Sequence, residues 1–264
     1  MSIVPGCVYL MYHEIEFPGR PMCHNDAGYV RYVVRDEEFR QQMHTLKDAG
    51  YRCMSVSEAL ASNSREGVVL TLDDGCETDL LFVAPLLHEL GFSATCYATV
   101  GFLDTRGYLS RKQLRELSDV GVEVGSHSMT HPYLSDLKTD ELIYEISASK
   151  QSLEQITGRE VRHFSCPGGR WDLRVASAAR EAGYHSVVTS RLAINSSNTD
   201  PFSLGRIAIL RGTRLPAFRA LSAGQGLWKL RFKDSVRSSI KRILGNTAYD
   251  RMRARFLERS PETD

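Results

Sequence analysis

The sequence has no C-x-x-C pair. Its six cysteines, Cys7, Cys23, Cys53, Cys76, Cys96 and Cys166, stand singly, which removes zinc-ribbon and thioredoxin-like readings. Reduced thiols used as small core hydrophobes are the simpler account. An excess of one charge is lacking too: 33 Lys and Arg face 32 Asp and Glu, so the chain as a whole has no field to draw in a nucleic acid or an acidic polymer. No uninterrupted apolar run approaches the ~18 residues that a membrane span needs. The first residues, Met1-Ser2-Ile3-Val4-Pro5-Gly6, lack the basic start of a secretory signal, so the expected location is the cytoplasm. Internal repeats and low-complexity stretches are also missing.

What is present is an ordinary globular composition of 264 residues, 42% hydrophobic and 25% charged, enough for one large domain or two small ones. Within it, β-rich runs alternate with helical periodicity. Residues 7–12 read as a strand, and 36–49 as a helix with Phe39, Met43 and Leu46 on one face and Gly50 as its stop. Next come a strand at 68–72, a helix at 79–90 closed by Gly91, and a strand at 93–98. Helices at 110–120, 139–157 and 172–182 then alternate with strands at 122–124, 163–165 and 186–189. This pattern predicts parallel strands covered by helices, in a closed barrel or a doubly wound sheet. The chemically unusual residues fall just after strand ends, where both architectures place their sites.

Thr71-Leu72-Asp73-Asp74-Gly75 puts two adjacent carboxylates at the end of an apolar strand. Neighbouring strand side chains point to different sides, so one can hold a metal while the other faces a substrate. Taken alone, Asp-Asp-Gly is also a good turn and helix start. Gly125-Ser126-His127-Ser128-Met129-Thr130-His131-Pro132 likewise follows a strand. Its two imidazoles, four residues apart, can converge on one ion if the segment makes a single helical turn, with Pro132 preventing a longer helix. An aspartate as third ligand leaves a position open for water, as catalytic sites do. Zinc suits such a set, and cobalt, nickel or ferrous iron fit the same ligands.

The two segments together resemble the polysaccharide deacetylase family, also called the NodB-homology or carbohydrate esterase 4 family. Thr71-Leu72-Asp73-Asp74-Gly75 is similar to the family's T-F-D-D-G, with Leu for Phe, and Ser126 to Pro132 contains its H-[ST]-x-x-H-P. The resemblance runs from about Val4 to Ile209. It implies a deformed (β/α) barrel, usually of seven strands, and metal-dependent hydrolysis of an N-acetyl group on a hexosamine. It also implies that Asp74, His127 and His131 hold the metal and that Asp73 is the general base activating water, with the metal polarising the acetyl carbonyl.

Two departures stand out. The family's R-P-P-Y-G motif reads here as Ser165-Cys166-Pro167-Gly168-Gly169-Arg170, with Ser165 in place of the arginine that orients the base. Pro167, Gly168, Gly169 and Arg170 are expected to approach the substrate, since glycines let backbone come close; Pro-Gly-Gly is equally a plain turn. Whether Arg170 reaches back to the base stays open. The late L-x-x-x-H motif that carries the acid histidine is also missing, because no histidine follows His185. Some relatives resembling this chain carry an N-terminal Tyr-His, read as a circular permutation of that motif. On this basis His13, in Leu10-Met11-Tyr12-His13, is assigned as the general acid protonating the leaving amine, against the alternative of a satisfied core histidine. His24, His44, His88, His163 and His185 lack such a context. Trp171 and Asp172 echo family pocket residues only at poor spacing, and packing is expected of Trp171. Arg206, in Leu204-Gly205-Arg206-Ile207-Ala208-Ile209, sits in a stretch resembling the family's closing strand. It either meets a carboxylate at the pocket rim or lies on the surface.

After about Arg211 the composition shifts, which divides the chain into a barrel at 1–211 and a basic helical extension at 212–264. Between Gly226 and Arg259 ten Lys or Arg face three acids, an asymmetry that the neutral total conceals. Val236, Ile240, Ile243 and Leu244 form an apolar stripe with a basic opposite face, and Tyr249, Met252 and Phe256 suggest a second amphipathic helix. Such helices can lie on an anionic membrane, where lipid-linked saccharides are handled; alternatively the stripe packs on the barrel. Nucleic-acid binding is not expected. The leading reading is a metal-dependent deacetylase of an N-acetylated sugar, with exopolysaccharide precursors among the candidate substrates. Its rivals are an allantoinase-like hydrolase of another small amide and a sugar-binding pseudoenzyme.

Overall fold

In the computed structural model, which describes residues 6–62 and 66–227, the alternating pattern becomes ten strands and eight α-helices. The strands are β1 (Gly6–Tyr12), β2 (Ile15–Glu16), β3 (Val34–Arg35), β4 (Cys53–Met54), β5 (Glu66–Asp74), β6 (Thr95–Ala98), β7 (Glu123–Ser126), β8 (His163–Ser165), β9 (Ser186–Val188) and β10 (Ile207–Ala208). The helices are α1 (Ala27–Val30), α2 (Asp36–Asp48), α3 (Val56–Ala61), α4 (Ala84–Leu90), α5 (Arg111–Asp119), α6 (Thr139–Thr157), α7 (Leu173–Glu181) and α8 (Leu215–Ser222). All ladders are parallel, in the order β10-β1-β5-β6-β7-β8-β9, with β4 beside β5 and β2 paired with β3 in a separate ribbon. One short segment touches both edges. Leu204 bridges to Val188 of β9, and Ile207 and Ala208 pair with Leu10 and Met11 of β1. The sheet thereby curls into the deformed (β/α) barrel that was expected.

Strand alternation sorts β1 between two cores. Cys7 and Tyr9 join Met54, Val69, Tyr97, Val188 and Leu204 in one cluster, while Val8, Leu10 and Tyr12 lie in the larger cluster with the helices. Opposite them, α2 buries Phe39, Gln42, Met43 and Leu46, an i, i+3, i+4, i+7 stripe. Each such fully buried apolar side chain stabilises the fold by about 1.5–3 kcal/mol. Gln42 is half satisfied there: Tyr12 Oη donates to its Oε1 at 2.9 Å, while its buried Nε2 has no partner. All six cysteines are free, and five are buried, as small hydrophobes should be.

The ends of the barrel differ in chemistry. At the N-terminal ends of β7 and β8, Glu123 accepts from Ser57 N–H and Thr95 Oγ1 and lies 3.3 Å from His163 Nε2. Burial opposes its charge, but His163 and these donors outweigh that and pull the carboxyl from 4.5 down to about 2. A lowered folded pKa means stability that is present above pH 4.5 and lost as pH falls toward 2. The difference corresponds to about 3 kcal/mol. Urea midpoints measured across that window are expected to fall more steeply for the unmodified chain than for Glu123→Gln; parallel curves would show that Glu123 has no such role.

The first part of the expected C-terminal extension packs on the barrel. Phe218 of α8 is fully buried in the main core and Leu227 is nearly so. The amphipathic stretches at 236–244 and 249–256 lie outside the described residues. Among the described residues, no helix is long and apolar enough to cross a membrane.

Candidate active site

The strand that carries Asp73 and Asp74 ends abruptly. Asp74 and Gly75 both take a left-handed backbone, each with φ of 80°, which aspartate tolerates and most side chains do not. A side chain at Gly75 would also stand 3.2 Å from Ala98 Cβ. This turn sends the two carboxylates to different partners, as adjacent strand residues were expected to do.

Asp73 is 2% exposed and meets an arginine that is 1% exposed, Arg206. The guanidinium forks onto it, Nη1 to Oδ1 and Nη2 to Oδ2 at 2.7 Å each. Its remaining donors reach Thr71 Oγ1, Thr189 O and Ser165 Oγ, and Ser165 Oγ in turn lies 3.3 Å from Asp73 Oδ2. A charge buried this deeply requires such full satisfaction. Burial pushes the Asp73 carboxyl up, yet Arg206 outweighs it and holds the group well below the usual carboxylate range. Arg206 meets a carboxylate, as one sequence alternative had it, but in the interior instead of at a rim and on the carboxylate assigned as base; the surface alternative fails. Arg206 occupies the role left empty by Ser165. Arg170 does not reach back; its Nη1 binds Asp136 Oδ2 at 2.8 Å and its guanidinium stacks 3.5 Å over Tyr133.

Asp74, His127 and His131 converge, as the motifs predicted, with one ligand atom of each within 4.8 Å of the others. They do not do so through a helical turn. Ser128 and His131 are left-handed, with φ of 73° and 64°, so the chain makes an irregular loop in which Ser128 Oγ accepts from His131 N–H at 2.9 Å. Three of the four left-handed non-glycine residues described thus lie at this site, where such backbones commonly gather.

The tautomer of His127 follows from one contact. Its Nδ1 is 2.8 Å from the Ser165 carbonyl oxygen, which can only accept, so Nδ1 carries the hydrogen. Burial pushes the imidazole down to about 3 and keeps it neutral, so Nε2 is bare. That lone pair faces Asp74 Oδ1 at 3.6 Å, and His131 Nε2 stands 3.5 Å from the same oxygen. Asp74 Oδ1 is buried without a hydrogen bond. Acceptors crowded on one point call for a cation, and an Asp oxygen with two imidazole nitrogens is a donor set that a divalent transition metal fits.

His13, directly after β1, lies close enough to lower the pKa of both Asp73 and Asp74. Its ring packs on Tyr32 at 4.9 Å, and its buried Nδ1 has no hydrogen-bond partner. Pro167, Gly168 and Gly169 form one tight turn with both glycines left-handed. A side chain at Gly169 would fall 2.2 Å from Ser190 Oγ, and one at Gly168 2.6 Å from the Tyr133 ring, so their smallness serves packing. Trp171 packs against the core, its Nε1 donating to Phe202 O, and Asp172 caps α7.

The sequence profile of the polysaccharide deacetylases matches residues 61–187. YxkH of Bacillus subtilis (strain 168), whose name assigns it to polysaccharide deacetylases, is 26% identical over 217 residues, 80% of this chain and 74% of its own length. A chitooligosaccharide deacetylase of Azorhizobium caulinodans is 29% identical over 131 residues, 49% of this chain and 60% of its own length. Among solved structures, the Streptococcus pyogenes deacetylase PplD in complex with acetate superposes with a TM-score of 0.73 at 24% identity, covering 84% of this chain and 99% of that one, a likeness of fold.

Proposed function

We propose that this chain is a member of the polysaccharide deacetylase family, whose profile matches residues 61–187, and that it removes the acetyl group from an N-acetylhexosamine in a glycan or lipid-linked sugar. In this reading Asp74, His127 and His131 hold a divalent cation, zinc before cobalt, nickel or iron, and the oxygen-nitrogen donor set supports that choice. The observation that carries it is the bare His127 Nε2 facing an unsatisfied Asp74 oxygen beside an ionised, buried Asp73.

Lewis acidity toward water and toward the amide carbonyl is what a cation supplies at such a site. The chain's own residues handle the protons. Asp73 stays ionised across the neutral range because Arg206 grips it, and since the Ser165 hydroxyl has one hydrogen to give, at least one carboxylate oxygen keeps a lone pair to take a proton from the attacking water. His127 is fixed in the tautomer that leaves Nε2 free by the Ser165 carbonyl. His13, near both aspartates, then delivers a proton to the departing nitrogen, so that water and amide become acetate and amine. Arg206 also answers the sequence reason for preferring a different amide, since the missing third-motif arginine has a replacement.

Acetate release is the test, from N-acetylhexosamine oligomers and lipid-linked N-acetylated sugars, with zinc-loaded protein beside chelated protein and Asp73→Asn. Release is expected only from the loaded, unmodified chain. Silence on the whole panel with zinc bound would overturn the reading in favour of another amide, and sugar binding that survives without turnover would favour a pseudoenzyme.

A further inference from the structure

Two left-handed non-glycine residues within four positions do not hold themselves in place, so the loop that delivers His131 needs outside support. On one side the support is backbone: Val100 N–H donates to Ser128 O at 3.3 Å and Gly101 N–H to Met129 O at 2.8 Å. On the other side it is a single carboxylate. Glu145, a buried residue in the second turn of α6, accepts from Met129 N–H and Thr130 N–H through Oε2, at 2.9 Å each, and from Thr130 Oγ1 through Oε1 at 2.6 Å. These are the donors immediately before His131. Val100 and Gly101 fix the carbonyls of Ser128 and Met129, Ser128 Oγ holds the His131 amide, and Glu145 gathers the two amides between them, those of Met129 and Thr130.

We propose that Glu145 is a positioning residue for metal binding, acting through the 128–131 loop to set His131 Nε2 against Asp74; the inference rests on the metal-site reading above. A purely structural carboxylate would stabilise the fold without changing how tightly a cation is held. Outer hydrogen bonds that orient a ligand typically change metal affinity by about 10–100-fold when removed. The loop is not sealed in: a cleft of about 460 Å³ lined by Thr130, Pro132, Tyr144 and Glu145 adjoins it. Water can therefore solvate the freed amides in Glu145→Ala, and the variant is expected to fold.

Cobalt(II) titration of the full, metal-stripped chain, followed by visible absorption and paired with amide hydrogen exchange of the metal-free protein, tests this. Glu145→Ala is expected to weaken cobalt binding by about 10–100-fold, to alter the absorption band, and to speed exchange at Met129 and Thr130. Glu145→Gln should recover most of the affinity, because its amide oxygen can accept both N–H groups while its NH₂ donates to Thr130 Oγ1. Asp140→Asn, an exposed charge on the same helix, should bind like the unmodified chain. Unchanged cobalt affinity and spectrum in Glu145→Ala, even with a lower unfolding temperature, overturns the proposal. If the unmodified chain binds no cobalt, the metal-site reading itself has failed. The exchange rates then still decide whether Glu145 holds the loop, and equal rates in Glu145→Ala would show that it does not.

Discussion

Arg206→Met is expected to destabilise the protein by about 3–5 kcal/mol, the range for removing one partner of a buried ion pair. The size follows from what is left behind. Asp73 is 2% exposed and gives both oxygens to the Arg206 fork at 2.7 Å, so without the guanidinium a charge stays in the interior with the Ser165 hydroxyl as its donor and the His127 ring 3.8 Å away. Burial then dominates its titration and drives the carboxyl up, toward the protonated form. A protonated Asp73 cannot accept a proton from water. Turnover should therefore fall by about 10²–10⁴, the usual contribution of a general base, and the acid limb of the pH–rate profile should move upward. Arg206→Lys should not restore it, because one ammonium cannot span two carboxylate oxygens together with Thr71, Ser165 and the Thr189 carbonyl.

A second substitution separates charge from packing. If the loss in Arg206→Met arises from the stranded carboxylate, adding Asp73→Asn should recover part of the stability while leaving the enzyme inactive. Urea unfolding of the two single variants and the double variant measures this. Strictly additive losses, or an unchanged midpoint in Arg206→Met, would show that the pair is not what holds this part of the barrel.

The contrast between Arg206 and the two motif segments shows what a sequence exposes. Asp73, Asp74, His127 and His131 sit in two short runs, each just after a strand, and their chemistry is local enough to read in order. Arg206 lies 133 positions from Asp73, just before a two-residue strand with no periodicity to detect; the curl that joins β9 to β1 brings it inward. The 128–131 loop misled for a different reason. A His-x-x-x-His spacing suits one helical turn, and no glycine announces that Ser128 and His131 are left-handed. Glu145 carried no signal either, since an acidic residue on a helix reads as a solvated face until the loop folds over it. The long elements were legible, with α6 and β8 ending where the periodicity ends. By contrast β4 and α3 are set by contacts with β5.

Asp74→Asn is expected to make the metal-free protein more stable and the zinc-loaded protein inactive. The Asp74 carboxylate is buried, left-handed at φ of 80°, and without a hydrogen bond on Oδ1. Burial raises its pKa from 3.8 to about 6. An acid whose folded pKa is raised makes folding less favourable as pH climbs through that interval, a penalty of about 3 kcal/mol once pH exceeds both values. Asparagine has no charge to bury, tolerates the left-handed backbone, and can turn its NH₂ toward the bare His127 Nε2 that stands 3.6 Å away. The stabilisation should thus be full at neutral pH and vanish below pH 3.8. Zinc should reverse the order, because a ligand at a hundred times its dissociation constant adds about 2.7 kcal/mol to a protein that binds it, and the variant has lost its charged ligand. Thermal unfolding of both proteins with chelator and with zinc reads all of this. A chelated Asp74→Asn no more stable than the unmodified chain would remove the electrostatic argument. A zinc-induced rise equal in both proteins would remove Asp74 from the metal site.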